Sequence, residues 1–189
     1  MGVVVLAGPS GSGKSRLAAR LGWPVLRLDD FYREHSEPGM PQSSLGIIDW
    51  DHPESWDKTA AMQAITALCH DGKAEVPDYH IALSKRVGHA TLEAPEGRFV
   101  AEGLFATQII DECRNAGILD AAICVSHHRF VTFGLRLGRD LREGRKAPHV
   151  LVRRGWRLLR DEPTIIADAV AHGCTPMTPR QAERRLRTL

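Results

Sequence analysis

The stretch that decides the fold is Val3-Val4-Val5-Leu6-Ala7-Gly8-Pro9-Ser10-Gly11-Ser12-Gly13-Lys14-Ser15, followed by Arg16 to Leu21. Val3 to Ala7 is an unbroken β-branched and apolar run, the pattern of a strand buried on both faces. Residues 8 to 15 then fit Gly-x-x-x-x-Gly-Lys-Ser/Thr, and Lys14 to Leu21 reads as a helix. In such a strand–loop–helix the glycines let backbone N–H groups turn inward toward phosphate oxygens, and the helix N-terminus adds its dipole. Lys14 can reach β- and γ-phosphates, and the Ser15 hydroxyl can bind Mg²⁺. Gly8, Pro9, Ser10, Gly11, Ser12, Gly13, Lys14 and Ser15 are therefore the expected nucleotide-binding residues, with ATP and Mg²⁺ as the expected cofactors. Switches and motors share this loop, so phosphoryl transfer needs further evidence.

Outward from the loop, the chain alternates strand and helix. Val25 to Leu28 is a second short apolar run that ends at Asp29 and Asp30. Phe31 to Trp56 is rich in Pro, Gly, Ser and His and reads as loop. Thr59 to His70 has helical spacing through Ala60, Ala64, Ala67 and Leu68. Arg98 to Ala101 is a third strand candidate, ending at Glu102, and Ala121 to Val125 is a fourth. His128 to Glu143 reads as a helix with Phe130, Phe133, Leu137 and Leu141 inward. Ile165 to Val170 reads as a fifth strand, and Thr178-Pro179 as the start of a C-terminal helix. Alternation of this kind predicts an α/β fold: a mostly parallel, five-stranded sheet with helices on both faces.

Composition narrows the function classes. A chain of 189 residues suits one domain, and 43% hydrophobic residues suffice for a core. Net charge is only +2, which implies no general affinity for nucleic acid. No apolar run approaches the roughly 20 residues that span a bilayer. Met1 to Ala7 lacks a basic flank and reads as a strand rather than a signal peptide. Leu6 stands where a myristoylation signal has Ser or Thr. The four cysteines, Cys69, Cys113, Cys124 and Cys174, are scattered, as expected of reduced thiols in a cytoplasmic protein. A homo-oligomer is left open.

Ligands of open parallel sheets sit at the carboxyl ends of strands. Asp29, Asp30 and Glu102 fall at such ends. Transfer to a hydroxyl requires an acceptor for the hydroxyl proton and an anionic oxygen to help hold Mg²⁺. Asp29 and Glu102 suit these roles, although each acid also suits a turn or cap. Arg136 and Arg139 lie off the apolar stripe of the basic helix, where a permanent charge and planar fork of donors suit a transferring phosphoryl group.

Five segments carry a resemblance to the uridine kinases. They are the phosphate loop; Leu-Asp-Asp-Phe-Tyr-Arg at 28–33; Asp-Trp-Asp-His-Pro-Glu-Ser-Trp-Asp at 49–57; Ala-Glu-Gly at 101–103; and Arg136-Leu-Gly-Arg139-Asp140 with Glu143-Gly144-Arg145. Order and spacing match over roughly residues 2 to 170. The resemblance implies a single kinase domain over 1–189 with a lid near 136–148. It also implies ATP-dependent phosphorylation of a small-molecule hydroxyl, a nucleoside 5′-hydroxyl of uridine or cytidine type. Asp29 then matches the catalytic base and a Mg²⁺ partner alongside Ser15 and Glu102. Lys14, Arg136 and Arg139 match the groups facing the phosphates. Asp51 matches the carboxylate on the ribose hydroxyls. Tyr32, Trp50 and Tyr79 match aromatic positions around the base, and Arg136 also faces substrate. Trp50 and Trp56 equally suit plain core aromatics. Residues 77 to 86 depart from the family pattern, with Ile81 at an aromatic position and Ser84 at a His position. This departure keeps a different alcohol, sugar- or pantothenate-like, and a non-catalytic nucleotide switch as competing readings.

Overall fold

The computed structural model describes residues 2–95, 98–127 and 162–189. The elements in chain order are β1 (Gly2–Ala7), α1 (Lys14–Leu21), β2 (Val25–Arg27), α2 (Lys58–Asp71), β3 (Lys73–His80), β4 (Lys85–Glu93), β5 (Arg98–Glu102), α3 (Ile110–Asn115) and β6 (Leu119–Val125). A helix over 162–171, here α4, precedes β7 (Thr175–Met177) and α5 (Pro179–Leu186). Five strands form one sheet in the order β2-β5-β1-β6-β7, while β3 and β4 form a separate antiparallel pair. The five-stranded sheet is parallel and flanked by helices, as the alternation predicts. β1 is buried along its whole length, which is why its sequence shows no polar alternation. Pro176 is tolerated in β7 because that strand lies at the sheet edge.

The chain divides into two compact units, Met1–Val5 with Trp23–Ala121, and Leu6–Gly22 with Ala122–Leu189. In the first unit, β2 pairs parallel to β5, with Arg27 opposite Glu102. Leu26, Leu28, Phe31, Ile65, Leu68, Phe99, Ile109 and Ile110 are fully or almost fully buried there. Asp57 starts α2 by accepting the N–H of Ala60, and Gly72 ends it in the left-handed conformation. In the second unit, α5 opens on a capping box: the Thr178 hydroxyl accepts from Gln181 N, and the Gln181 side chain accepts from Thr178 N. Arg187 donates to the carbonyl of Arg20 at 2.8 Å, capping the C-terminal turn of α1.

Two expectations need correction. Residues 165–170 are helical, within α4, and the fifth strand is Thr175–Met177. In that helix Glu162 and Ala169 are buried while Ile165 and Val170 are exposed, so the spacing is helical. The hairpin β3–β4 carries no strand expectation in the sequence. Its strands are mostly exposed, Pro77 interrupts the first, and the ladder shifts register at Asp78/Tyr79. The helix expected at 128–143, with Arg136 and Arg139, and the lid near 136–148 lie outside the described residues. All four cysteines are free and buried, as scattered reduced thiols should be. Burial pushes the Cys113 thiol up to about 12. No helix among the described residues is long and apolar enough to cross a membrane.

Candidate active site

The phosphate loop belongs to the second unit. It leaves β1 through Gly8 at φ 127° and enters α1 through Gly13 at φ 94°. A Cβ on Gly8 would stand 2.3 Å from the carbonyl oxygen of Val125, so glycine is demanded here by space as well as by backbone angle. Ser12 N donates to the carbonyl of Pro9 at 3.1 Å, closing the turn, and Lys14 Nζ reaches the carbonyls of Gly8 and Pro9 at 2.7 and 3.2 Å. The ammonium thus lies over the mouth of its own loop. Ser12 is fully buried, and its Oγ has no hydrogen-bond partner among the described residues. A buried hydroxyl costs free energy unless bonded, and a phosphate oxygen would satisfy it. Loop, lysine and buried hydroxyl fit a nucleotide phosphate.

The acids and aromatics belong to the first unit. Asp29 and Asp30 sit in a single 3-10 turn, Leu28–Phe31, immediately after β2. The Asp29 carboxylate is fixed by two features of the β5 end. Its Oδ1 accepts the N–H of Leu104 at 2.8 Å, and it closes over Gly103. A Cβ at Gly103 would stand 2.7 Å from that oxygen and 2.8 Å from Leu28 Cβ. Thus the glycine after Glu102 is what lets Asp29 dock at the neighbouring strand end. The fold unites Asp29 and Glu102, 73 positions apart in the sequence, around this contact.

Asp30 faces a different environment. Burial raises its carboxyl from an ordinary 3.8 to about 6; Arg27 opposes the rise, and Asp29, Asp78 and Glu102 add to it. Its Oδ1 lies 3.3 Å from Arg27 Nη2.

Tyr32 is the hub of the aromatic group. Its ring centroid lies 5.8 Å from Trp50, 6.0 Å from Tyr79 and 5.8 Å from Phe105. Burial pushes its phenol up, and the carboxylates of Asp29 and Asp51 push it further. Asp51 is exposed, in a turn whose N–H is held by Asp49 Oδ1 at 3.1 Å. Tyr79 is buried and donates its hydroxyl to the Arg33 carbonyl at 3.1 Å. Trp56 is a core aromatic, 4% exposed, whose indole N–H donates to Leu28 O at 2.7 Å and so anchors the turn that carries Asp29. The structure therefore gathers Asp29, Tyr32, Trp50, Asp51 and Tyr79 in one neighbourhood. Phe105 joins that group unforeseen; an aromatic just past a strand-end Glu-Gly was the available signal. No group of three or more His, Cys, Asp or Glu suited to a metal occurs among the described residues.

At the hairpin turn, Ser84 takes the left-handed conformation at φ 46°, and Ile81 is 65% exposed. Ser84 O accepts the N–H of His35 at 3.1 Å, tying the turn to the segment after Tyr32. Arg86 N donates to Glu34 Oε1 at 3.3 Å, a second tie to that segment.

No protein-family model matches the chain. It is 25% identical to a uridine kinase of Lactobacillus helveticus over 158 residues, covering 79% of this chain and 72% of that protein. A uridine kinase of Bacillus pumilus is 26% identical over 157 residues, with the same coverage. A Schizosaccharomyces pombe uridine kinase is 28% identical over 143 residues, but this match spans only 31% of that longer protein. Among solved structures, one assigned as a fructose transport system kinase from Silicibacter sp. TM1040 aligns with a TM-score of 0.61 at 22% identity, covering 88% of this chain and 84% of the other. One assigned as a uridine kinase from Bacillus stearothermophilus aligns at 0.52 and 21% identity, covering 70% and 74%. Both structural likenesses bear on the fold.

Proposed function

We propose that this chain, which is similar to uridine kinases over most of its length, is a uridine kinase-like, ATP-dependent P-loop kinase that phosphorylates the hydroxyl of a small molecule, a nucleoside 5′-hydroxyl of the uridine or cytidine type. The phosphate loop, with its glycine entry, its lysine over the mouth and its buried Ser12 hydroxyl, supports the nucleotide half of this reading, and the observation that carries transfer to a hydroxyl is Asp29, held at the β5 end by Leu104 N. Gly8 to Ser15 hold the triphosphate. Asp29 accepts the proton of the acceptor hydroxyl as the acceptor oxygen bonds to the γ-phosphorus; the bond from that phosphorus to the β–γ bridging oxygen breaks, and ADP leaves. The hydrogen bond from Leu104 N to Asp29 Oδ1 supports this role, because it orients one carboxylate oxygen and leaves the other for the acceptor. Ser15, Glu102 and Asp29 are the groups proposed to hold Mg²⁺, which would neutralise charge on the transferring phosphoryl group when bound. Asp51 grips vicinal hydroxyls, since a carboxylate accepts two hydrogen bonds. Tyr32, Trp50 and Tyr79 offer aromatic surface to the acceptor, and Arg136 and Arg139, which lie outside the described residues, are the proposed partners of substrate and phosphates. The whole chain acts as one cytoplasmic kinase domain on this reading.

The test is ADP release from ATP and Mg²⁺ with a panel of nucleosides and simple alcohols, in wild type and Lys14→Ala. Acceptor-dependent turnover that Lys14→Ala abolishes is expected. Tight ATP binding with no acceptor-dependent turnover would instead support a nucleotide switch.

A further inference from the structure

The helix α1 has eight residues, and its first turn carries Lys14 and Ser15. Alone in water so short a helix does not persist, because nucleation fixes several residues for a single hydrogen bond. Its N-terminus brings no support of its own. The N-cap is Gly13, which has no side chain to cap with, and no acid stands in the first turn. A capping oxygen or carboxylate there would occupy the donors and the positive end of the dipole that a phosphate needs. The order of the loop–helix junction therefore comes from tertiary partners, and one of them is α5, which packs on α1 within the second unit. The buried positions of α5, Pro179, Ala182 and Leu186, recur at helical spacing, as do Leu17, Ala18 and Leu21 of α1. At the start of α1, the Pro179 ring lies 3.7 Å from where a Cβ on Gly13 would stand, so α5 borders the exit of the phosphate loop. At the far end three side chains close a ring. Glu183 Oε2 meets Arg20 Nε at 2.9 Å, Glu183 Oε1 meets Arg187 Nη2 at 3.1 Å, and Arg187 Nη2 donates back to the Arg20 carbonyl at 2.8 Å. An isolated surface ion pair contributes little. Here one carboxylate orients two guanidiniums, and one of these places a cation on a terminal helix carbonyl, where the dipole favours it. One partner helix thus grips α1 at both ends.

We propose that Glu183, 168 positions beyond the end of the phosphate loop at Ser15, is a positioning residue for the nucleotide. By holding Arg20 and Arg187 it fixes α1 against α5 and keeps the phosphate loop in its binding shape before the ligand arrives. This rests on the nucleotide half of the proposed function and deepens it. With the ring intact, phosphate contacts need not order the junction first. With the ring broken they must, so affinity for the nucleotide falls while the chemistry of the bound complex changes little.

The experiment measures ATP and ADP binding to the whole chain by titration calorimetry, in wild type, Glu183→Ala, Arg187→Ala, the double variant and Arg184→Ala. Glu183→Ala should weaken both nucleotides about 5- to 20-fold, the effect of one charge-assisted hydrogen bond transmitted in part. Arg187→Ala should weaken them similarly, and the double variant should be no worse than either single one, because both act through one ring. Arg184 is exposed on the same helix and outside the ring, so Arg184→Ala should bind like wild type. In turnover, KM for ATP should rise with kcat unchanged. If Glu183→Ala fails to fold, Glu183→Gln keeps the shape without the charge and should shift binding in the same direction. A variant that melts earlier yet binds both nucleotides as tightly as wild type overturns the proposal and leaves the nucleotide reading standing. A wild type that binds neither nucleotide overturns both. Amide hydrogen exchange of the nucleotide-free protein tests the brace without a ligand. Leu17 N donates to Gly13 O, and Ala182 N donates to Thr178 O, each at 2.9 Å. In Glu183→Ala exchange at Leu17 should rise about tenfold while Ala182 stays protected. Unchanged exchange at Leu17, or acceleration confined to Ala182, overturns the proposal.

Discussion

Replacing Asp30 by Asn should make the protein more stable near neutral pH and remove that gain in mild acid. In the fold the carboxyl is raised from 3.8 to about 6, chiefly because burial disfavours its charged form. The folded state therefore holds this proton more tightly than the unfolded chain does. Between about pH 4 and pH 6 the native protein binds more protons, so stability falls as pH rises through that window and stays lower above it. A gap of about 2 units corresponds to roughly 3 kcal/mol at about 1.4 kcal/mol per unit. The side chain retains 17% exposure, and the Asn variant also loses the contact with Arg27, an exposed partner whose pairing contributes at most about 1 kcal/mol. The net expectation is a gain of about 1–2 kcal/mol for Asp30→Asn at pH 7.5, shrinking to zero or below at pH 4. Urea unfolding of both proteins at the two pH values measures it. A variant no more stable than wild type at pH 7.5, or a gain independent of pH, would refute a buried, ionised Asp30. The same variant reports on catalysis: with Asp29 as base, Asp30→Asn keeps turnover, and its loss would move the role one residue along.

Asp29→Asn should lower kcat by about 10² to 10⁴-fold with ATP affinity retained, since the amide keeps the shape but takes no proton; equal kcat in steady-state assays would remove Asp29 from the chemistry. Gly8→Ala places a Cβ 2.3 Å from the Val125 carbonyl at a φ that alanine avoids, so it should destabilise by several kcal/mol or abolish ATP binding, read by thermal unfolding with and without ATP. Gly103→Ala meets Leu28 Cβ at 2.8 Å and should cost about 1–3 kcal/mol in urea. It should also lower kcat more than the KM for ATP, because Asp29 is displaced; an unchanged kcat would show that this contact does not position the base.

The elements fixed by local chemistry were legible in the sequence. The loop at 8–15 needs only its own glycines, lysine and flanking apolar run, and the helix Lys14–Leu21 follows with the expected bounds. The apolar runs at 25–28, 98–101 and 121–125 mark strands, and the last two are buried along most or half of their length. Thr178-Pro179 marks α5 because capping is a local hydrogen-bond problem. Residues 165–170 misled for a matching reason: a short apolar run has no period long enough to separate strand from helix, and burial at 162 and 169 decided for helix. The β3–β4 hairpin was illegible because its strands hide little from water, so nothing forces a pattern onto them. Cross-chain relations needed the tertiary structure. Sequence placed Asp29 and Glu102 at separate strand ends. Only the register of β2 on β5 shows that Gly103 must lack a side chain for Asp29 to dock, that Leu104 holds its oxygen, and that Trp56 anchors its turn. Likewise, the two adjacent aspartates are equivalent in the sequence. Burial separates them, because the cost of a charge depends on what surrounds it rather than on its neighbours along the chain.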